Sequence, residues 1–477
     1  MAWKANCRVS APCDQGTDEQ VEEHDQVGSA VRDQAIELLF GALARDERGE
    51  PCGTIACQDD PTSHYANVWT RDNVGPMLFF LRYDPSIVGL FLDALIRRQS
   101  RLRRTYGLMP IGFSPRYDAV DYGGEEAIGA VHSVDSTLWF VILVGLFVET
   151  TQDLDWLRAR REALEAALGL LVAPRFDPLP LMAAPESVTE IDRPAGLYGY
   201  PLQLQVLLAL ALRWAARLLD YLEAGSEIGA WCRLEAEALQ SWINRWYWID
   251  RQTVDDRELL APEGHGKDNP NPFNIDYSRL RPAIATLPPG CGYLGGTLRT
   301  RHLDTRLWPF PNLLAAVSGI LSEPRIEALM GGIAARWEDL IGCMPVTVCW
   351  PSLTGPNYEI WMDGDARARP GSYHNGGHWP YILWSFVAAC LASGRGELAT
   401  RALAVASSGL PPFWAEFYDS EGHPGLNART RQTWSIAGYL VADEALRSGI
   451  EAFWQVRLVP QGGWLVAAAP GPLQQER

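Results

Sequence analysis

The run "STLWFVILVGLF", residues 136 to 147, carries no charged side chain. A helix that is apolar on nearly all sides has no face to turn to water, so other helices must surround it. The next periodic stretch, "DLDWLRARREALEAALGLLV" (153 to 172), behaves differently. Its apolar residues recur at i, i+3, i+4 and i+7 with charges opposite, as in a helix with one covered and one wet face. The same contrast recurs along the chain. "VGPMLFFL" (74 to 81), "LQLQVLLALALRWA" (202 to 215), "WPYILWSFVAACLA" (379 to 392) and "QTWSIAGYLVADEAL" (432 to 446) read as enclosed helices. "AVRDQAIELLFGALA" (30 to 44), "DPSIVGLFLDALIRRQS" (84 to 100), "IGAWCRLEAEALQSWINRWYW" (228 to 248) and "EPRIEALMGGIAARWEDLIG" (323 to 342) read as amphipathic ones. Enclosed and amphipathic helices in alternation are what two concentric helical layers require. The expected fold is therefore all-α, an α/α toroid with inner helices around the axis and long loops gathered at one end.

Two Pro/Gly-rich stretches, 173 to 187 and 259 to 296, are too long for simple connections and read as functional loops. Both flanks of the second continue the alternation, so the chain reads as a single helical domain over residues 31 to 460. A mobile polar arm (1 to 30) precedes it and a C-terminal tail (461 to 477) follows. The 58 acidic against 41 basic residues, net charge -17, repel polyanions, which argues against nucleic acid and anionic membranes as partners and favours a small neutral ligand. The nine cysteines are odd in number and scattered without zinc-ribbon spacing, and they read as reduced thiols of a cytoplasmic protein. The N-terminus has no apolar signal core, and the most apolar stretch, 138 to 148, is short of the ~20 residues of a membrane span.

Polar chemistry is concentrated beside the enclosed helices, in "VWTRDN" (68 to 73), "HSVDSTLWF" (132 to 140), "SYHNGGHWP" (372 to 380), "FWAEFYDS" (413 to 420) and "ARTRQTWS" (428 to 435). Each joins a carboxylate, amide, imidazole or guanidinium to an aromatic. Sugars ask for that combination, since hydroxyls need donors and acceptors while the C–H face of the ring packs on an aromatic plane. Each segment alone also has a plain structural explanation. Asp135 could be a helix cap, Asn375 a tight turn, Arg71 with Asp72 an ion pair at a helix end, and Glu416 a solvated face residue. No phosphate loop, zinc-protease helix, dinucleotide fingerprint or nucleophile elbow is present, and "DGDARARPGS" from Asp363 lacks most of a calcium loop.

Taken in order, the segments resemble the alkaline/neutral invertase family, glycoside hydrolase family 100, over about residues 60 to 445. The resemblance rests on "RDNVGPMLFFL", "EEAIGAVHSVDSTLWF", "EIDRPAGLYGYPLQLQ", "WEDLIGCMP", "SYHNGGHWP", "WAEFYDS" and "RQTWSIAGYLVA" in register. It implies an (α/α)6 barrel that cleaves sucrose to glucose and fructose with inversion, without metal or organic cofactor, and that self-associates. It implies Asp135 as general acid and Glu416 as general base. It carries sugar contacts onto Arg71, Asp72, Asp192, Arg193, His374, Asn375, Arg431 and Gln432, with Trp69 packing nearby. Inverting cleavage needs a protonated carboxyl at the leaving oxygen and a carboxylate on the far side, ~6.5–9.5 Å away. Asp135 beside "TLWF" reads as desolvated enough to stay protonated, and a toroid would bring the distant Glu416 to the same mouth.

The sequence departs from the family pattern at Pro194, Ala195 and Gln203 and across 302 to 312, around the expected leaving-group pocket. Two alternatives follow. One is a hydrolase of another small α-glucoside, such as a glucosylated compatible solute; the other is a non-catalytic sugar-binding protein.

Overall fold

The computed structural model describes residues 18–60, 63–117, 119–123, 132–171, 179–258 and 271–453. Twelve principal helices, named here in chain order, build its frame. They are α1 (Asp18–Gly41), α2 (Val74–Tyr83), α3 (Pro85–Arg97), α4 (Asp135–Thr151), α5 (Arg161–Leu171), α6 (Leu202–Leu222), α7 (Glu227–Trp246), α8 (Pro309–Val317), α9 (Glu323–Ala335), α10 (Leu383–Ala392), α11 (Gly396–Gly409) and α12 (Thr433–Phe453). The even-numbered helices pack in the closed cycle α2, α4, α6, α8, α10, α12 and back to α2. Among the described residues this makes six inner helices ringed by six outer ones, an (α/α)6 barrel.

Burial separates the two layers as the sequence pattern requires. Every residue of α4 from Asp135 to Val148 is buried. In α7 the buried residues are Gly229, Cys232, Ala236, Leu239, Ile243 and Trp246, one face at three- and four-residue spacing. Inner helices approach closely where side chains are small: a Cβ on Gly145 of α4 would lie 2.4 Å from the Trp214 ring of α6. α6 is the one described helix long and apolar enough to cross a bilayer, and 94% of its apolar window is buried among its neighbours. Side-chain caps set several helix starts: Asp84 accepts from the Ser86 amide (3.1 Å) before α3, and Ser226 accepts from the Gly229 amide (3.3 Å) before α7.

Two features differ from the sequence expectation. α1 already opens at Asp18, within the stretch read as an arm. Its first turns, "DEQVEEHDQ", contain good helix formers but no apolar stripe, and only a stripe would register as periodicity. Residues 1–17 of that arm and the tail 461–477 lie outside the described residues. Short strands also brace the loops, Val68–Trp69 pairing with Gly112–Phe113 and Tyr200–Pro201 with Thr297–Arg299. Strands of two or three residues are too short to show a period of two. Among the described cysteines, Cys52, Cys57, Cys232, Cys291, Cys343, Cys349 and Cys390 are free thiols.

Candidate active site

The loops that enter the inner helices converge on one end of the barrel. There they enclose a cavity of about 380 Å³ lined by aromatic faces (Tyr65, Trp69, Tyr373, Trp379, Trp434), carboxyls (Asp72, Glu190, Asp192, Glu416) and cations (Arg71, Arg193, Arg367, Arg429), with His64 and His374. A narrower space of about 30 Å³ adjoins it and shares Arg71, Asp72, Glu190 and Trp434; apolar residues including Trp139, Phe310 and Trp384 close it off. Among the described residues no cluster of three or more His, Cys, Asp or Glu side chains has the arrangement of a metal site.

The first wall is built at the mouth of α2. The strand Val68–Trp69 pairs with Gly112–Phe113, and Gly112 is needed there because a Cβ would lie 2.7 Å from the Trp69 ring. Asn73 fixes the chain beyond the strand. Its amide donates to the Thr54 and Trp69 carbonyls (3.0 and 2.8 Å), and its oxygen accepts from the Thr54 amide (2.7 Å). Arg71 and Asp72, between these anchors, both face the cavity. The ion pair of Arg71 is not with Asp72. Its guanidinium donates to Asp135 at 2.6 and 3.3 Å and to Ser133 Oγ at 3.3 Å, and Ser133 in turn donates to Asp135.

Asp135 therefore occupies a different place from the one expected. It is the first residue of α4, wholly buried, held by Arg71 and Ser133, and absent from the cavity wall. The arginine that pairs with it lies 64 positions away in the chain.

The carboxyls that do reach the cavity are desolvated. Burial raises Asp72 to about 7, with the charges of Asp192 and Asp135 adding to the effect and Arg71 opposing it. Burial raises Glu190 to about 7, against the Gln203 hydrogen bond and Arg71. Asp192 is raised by burial, against Arg71, Arg193 and Arg367, and the Tyr373 hydroxyl donates to it at 3.4 Å. Glu416 is pushed up to about 8 by burial and by the charges of Asp192 and Asp72. The Tyr65 hydroxyl lies 3.3 Å from both Glu416 oxygens. So Glu416 is no solvated face residue.

The other expected residues divide. Trp69, Asp192, Arg193 and His374 line the cavity. His374 is buried and stacked on Tyr373 (centroids 3.9 Å) and Trp379 (5.2 Å), and neither ring nitrogen has a protein partner. Burial, aided by Arg367 and Arg193, lowers its pKa well below the usual range, so it meets a ligand as neutral imidazole. Asn375, Arg431 and Gln432 are not in the wall. Asn375 makes a turn, its side chain bonded to the Leu353 amide (2.6 Å) and to the Leu353 and Ala368 carbonyls (3.0 Å each). Arg431 has φ 50° and its side chain lies within 3.5 Å of Asp59; Arg429, two residues earlier, lines the cavity instead. Gln432 is buried, and its backbone forms a bridge with Cys57.

Sequence reasoning passed over Tyr65, Glu190, Arg367, Tyr373, Trp379, Arg429 and Trp434 as individual site residues. Tyr373, Trp379, Arg429 and Trp434 stand in polar segments already singled out, and Glu190 lies two residues before Asp192 in "TEIDR". Tyr65 and Arg367 lie outside the five polar segments, and only folding brings them in.

Comparison with known proteins agrees with this architecture. Residues 37–448 match the family model described as alkaline and neutral invertase. The chain is 33% identical over 419 residues to alkaline/neutral invertase CINV1 of Arabidopsis thaliana, spanning 83% of this chain and 76% of that one. It is 33% identical over 446 residues to cytosolic invertase 1 of Oryza sativa subsp. japonica, spanning 88% and 78%. Other relatives are named mitochondrial or chloroplastic, so the family spans several compartments. Among solved structures, a bacterial glucoamylase complexed with acarbose aligns with TM-score 0.57 at 13% identity, over 90% of this chain and 56% of that one. A GH63 mannosylglycerate hydrolase from Thermus thermophilus in complex with glucose aligns with TM-score 0.56 at 14% identity, over 86% and 99%. At such identities the likeness is one of fold, the (α/α)6 barrel. The chain belongs to the alkaline and neutral invertase family and is an invertase-type glycoside hydrolase.

Proposed function

We propose that the protein hydrolyses sucrose to glucose and fructose with inversion at the glucosyl carbon, using Asp192 and Glu416 as its carboxyl pair. The observation that carries this reading is their common cavity: both line it, each faces a tyrosine hydroxyl, and the Asp192 charge acts on Glu416. Asp72, the other carboxyl near Glu416, lines both the cavity and the narrow space, whereas Asp192 lines the wider cavity alone, and this reading puts the leaving group on that side. Asp192 replaces Asp135 as the acid in this reading.

The chemistry needs one proton on the pair. One carboxyl gives its proton to the glycosidic oxygen as the bond from the anomeric carbon breaks. The other takes a proton from the water that attacks that carbon from the opposite face, so α-linked substrate yields β-glucose. Glu416 is suited to the water: the Tyr65 hydroxyl and the Arg429 backbone N–H both donate to its carboxylate. Two coupled carboxyls sharing one proton give a bell-shaped rate profile whichever of them carries it. The alkaline limb is expected near pH 8, where the pair loses its last proton.

A second reading has its own observation. Arg193 and Arg367 both act on Asp192 from the cavity wall, and they would suit an α-glucoside whose leaving group is an anion, such as a glucosylated hydroxy acid. A compartment with reduced thiols, the cytoplasm, suits either reading.

Proton NMR of the anomeric signals during the first minutes with sucrose tests the proposal. Early β-glucose with fructose is expected, and loss of ~10²–10⁴-fold in turnover for Asp192→Asn and for Glu416→Gln. Early α-glucose would exclude inversion. An Asp192→Asn enzyme within tenfold of wild type would remove Asp192 from its role, and hydrolysis of the anionic glucoside with sucrose left intact would transfer the conclusion to the second reading.

A further inference from the structure

Glu190 is a buried carboxyl that the proposed chemistry does not use. It is 6% exposed and borders both the main cavity and the narrow space beneath it. The side-chain amide of Gln203 donates to its Oε2. Gln203 sits in the first turn of α6 and is itself 5% exposed. The Tyr381 hydroxyl also neighbours Glu190, yet it has no hydrogen-bond partner at normal geometry, though Tyr381 is 8% exposed. A carboxylate accepts about four hydrogen bonds, and buried polar groups left short of partners are costly. A carboxyl with acceptor positions to spare beside a hydroxyl that does not reach it at normal geometry, both bordering the narrow space, is an arrangement completed by a ligand that can donate and accept at once. A sugar hydroxyl does both.

The narrow space limits what can be attached to that hydroxyl. About 30 Å³, closed by Trp139, Phe310 and Trp384, has room for a hydroxymethyl arm but not for a second ring. We propose that Glu190 is a substrate-contacting specificity residue, accepting a hydroxyl of an unsubstituted terminal hexosyl unit at the cavity floor, and that Gln203 is the positioning residue that aims it. The carboxyl and the amide form a matched pair across the floor, one on the loop before α6 and one on α6. Because they are bonded to each other, they can be exchanged while one carboxyl and one amide are kept.

The inference rests on the sucrose reading for its substrate, so its test uses a readout that does not need turnover. Calorimetry with glucose, on the full chain, is applied to wild type, Glu190→Gln, Gln203→Glu and the double exchange, with thermal melts confirming folding. Glu190→Gln is expected to weaken glucose binding at least tenfold. Gln203→Glu, which sets two carboxyls against each other, is expected to weaken it as well, and the double exchange to recover most of the loss. Where sucrose is cleaved, Glu190→Gln should raise KM more than it lowers kcat. Unchanged glucose affinity in folded Glu190→Gln, or a double exchange no better than the weaker single variant, would overturn the proposal. Failure of wild type to cleave sucrose while these affinity changes appear would count against the sucrose reading alone and uphold the floor contact.

Discussion

Asp135 and Glu416 are both buried carboxyls at entrances to inner helices, and their surroundings set them apart. Asp135, 0% exposed, is clasped by a guanidinium and a serine hydroxyl. Glu416, 8% exposed, faces a tyrosine hydroxyl and open cavity, and burial, with two other carboxyls adding to it, raises its proton affinity. Burial alone does not make a reactive carboxyl. A nearby cation satisfies the charged carboxylate, whereas burial among other carboxyls favours the protonated form. A position at the helix mouth thus permits either role, and the partner decides.

The sharpest way to break this contrast is to remove the charge from each carboxyl in turn. Glu416→Gln should lose ~10²–10⁴-fold in kcat with the fold intact. Asp135→Asn should instead show itself in stability, because it leaves the buried Arg71 guanidinium without its anion, a change that costs ~3–5 kcal/mol when such a pair is broken. Paired thermal melts and steady-state rates separate the two. A stable Asp135→Asn protein as inactive as Glu416→Gln would reverse the assignment.

A smaller effect is expected in the barrel wall below. Gly145→Ala puts a methyl against the Trp214 ring where two inner helices meet, and overpacking of this kind costs ~1–3 kcal/mol. Urea unfolding should show the loss, while KM for the sugar changes little.

The smallest effect sharpens the view of the mouth as a desolvated region. Glu190 and Glu416 bind protons more tightly folded than unfolded, so each stabilises the fold fully below the usual carboxylate range, and that contribution is lost as pH rises to about 7 and about 8. The melting temperature of wild type should therefore fall between pH 5 and pH 8, and Glu416→Gln should reduce the fall by ~2 °C or more. An equal slope in both proteins would mean that Glu416 does not titrate in that window.

The barrel was legible because burial imprints periodicity: α4 is apolar throughout and α7 on one face, and both patterns survive in a string of letters. Trp69, Arg71, Asp72, His374 and Glu416 were legible as cavity residues because they stand in polar segments beside those helices, and Asp192 and Arg193 only through the family resemblance. Asn375, Arg431 and Gln432 stand in equally polar segments but serve a turn, an outward ion pair and a backbone bridge. Nothing local distinguishes the two groups. Arg429 lines the cavity while Arg431 pairs with Asp59, a difference the letters do not announce.

The sequence by itself determined the layered helical barrel, the family and the segments that border the cavity, since each follows from spacing or similarity along the chain. Only the tertiary structure decided which carboxyls share the cavity and which is neutralised by an arginine. The reason is distance along the chain: Tyr65 meets Glu416 across 351 positions, Tyr373 meets Asp192 across 181, and Arg71 meets Asp135 across 64. Proton affinity depends on burial and on charges within a few ångströms, and those neighbours exist only once the ring of inner helices has closed.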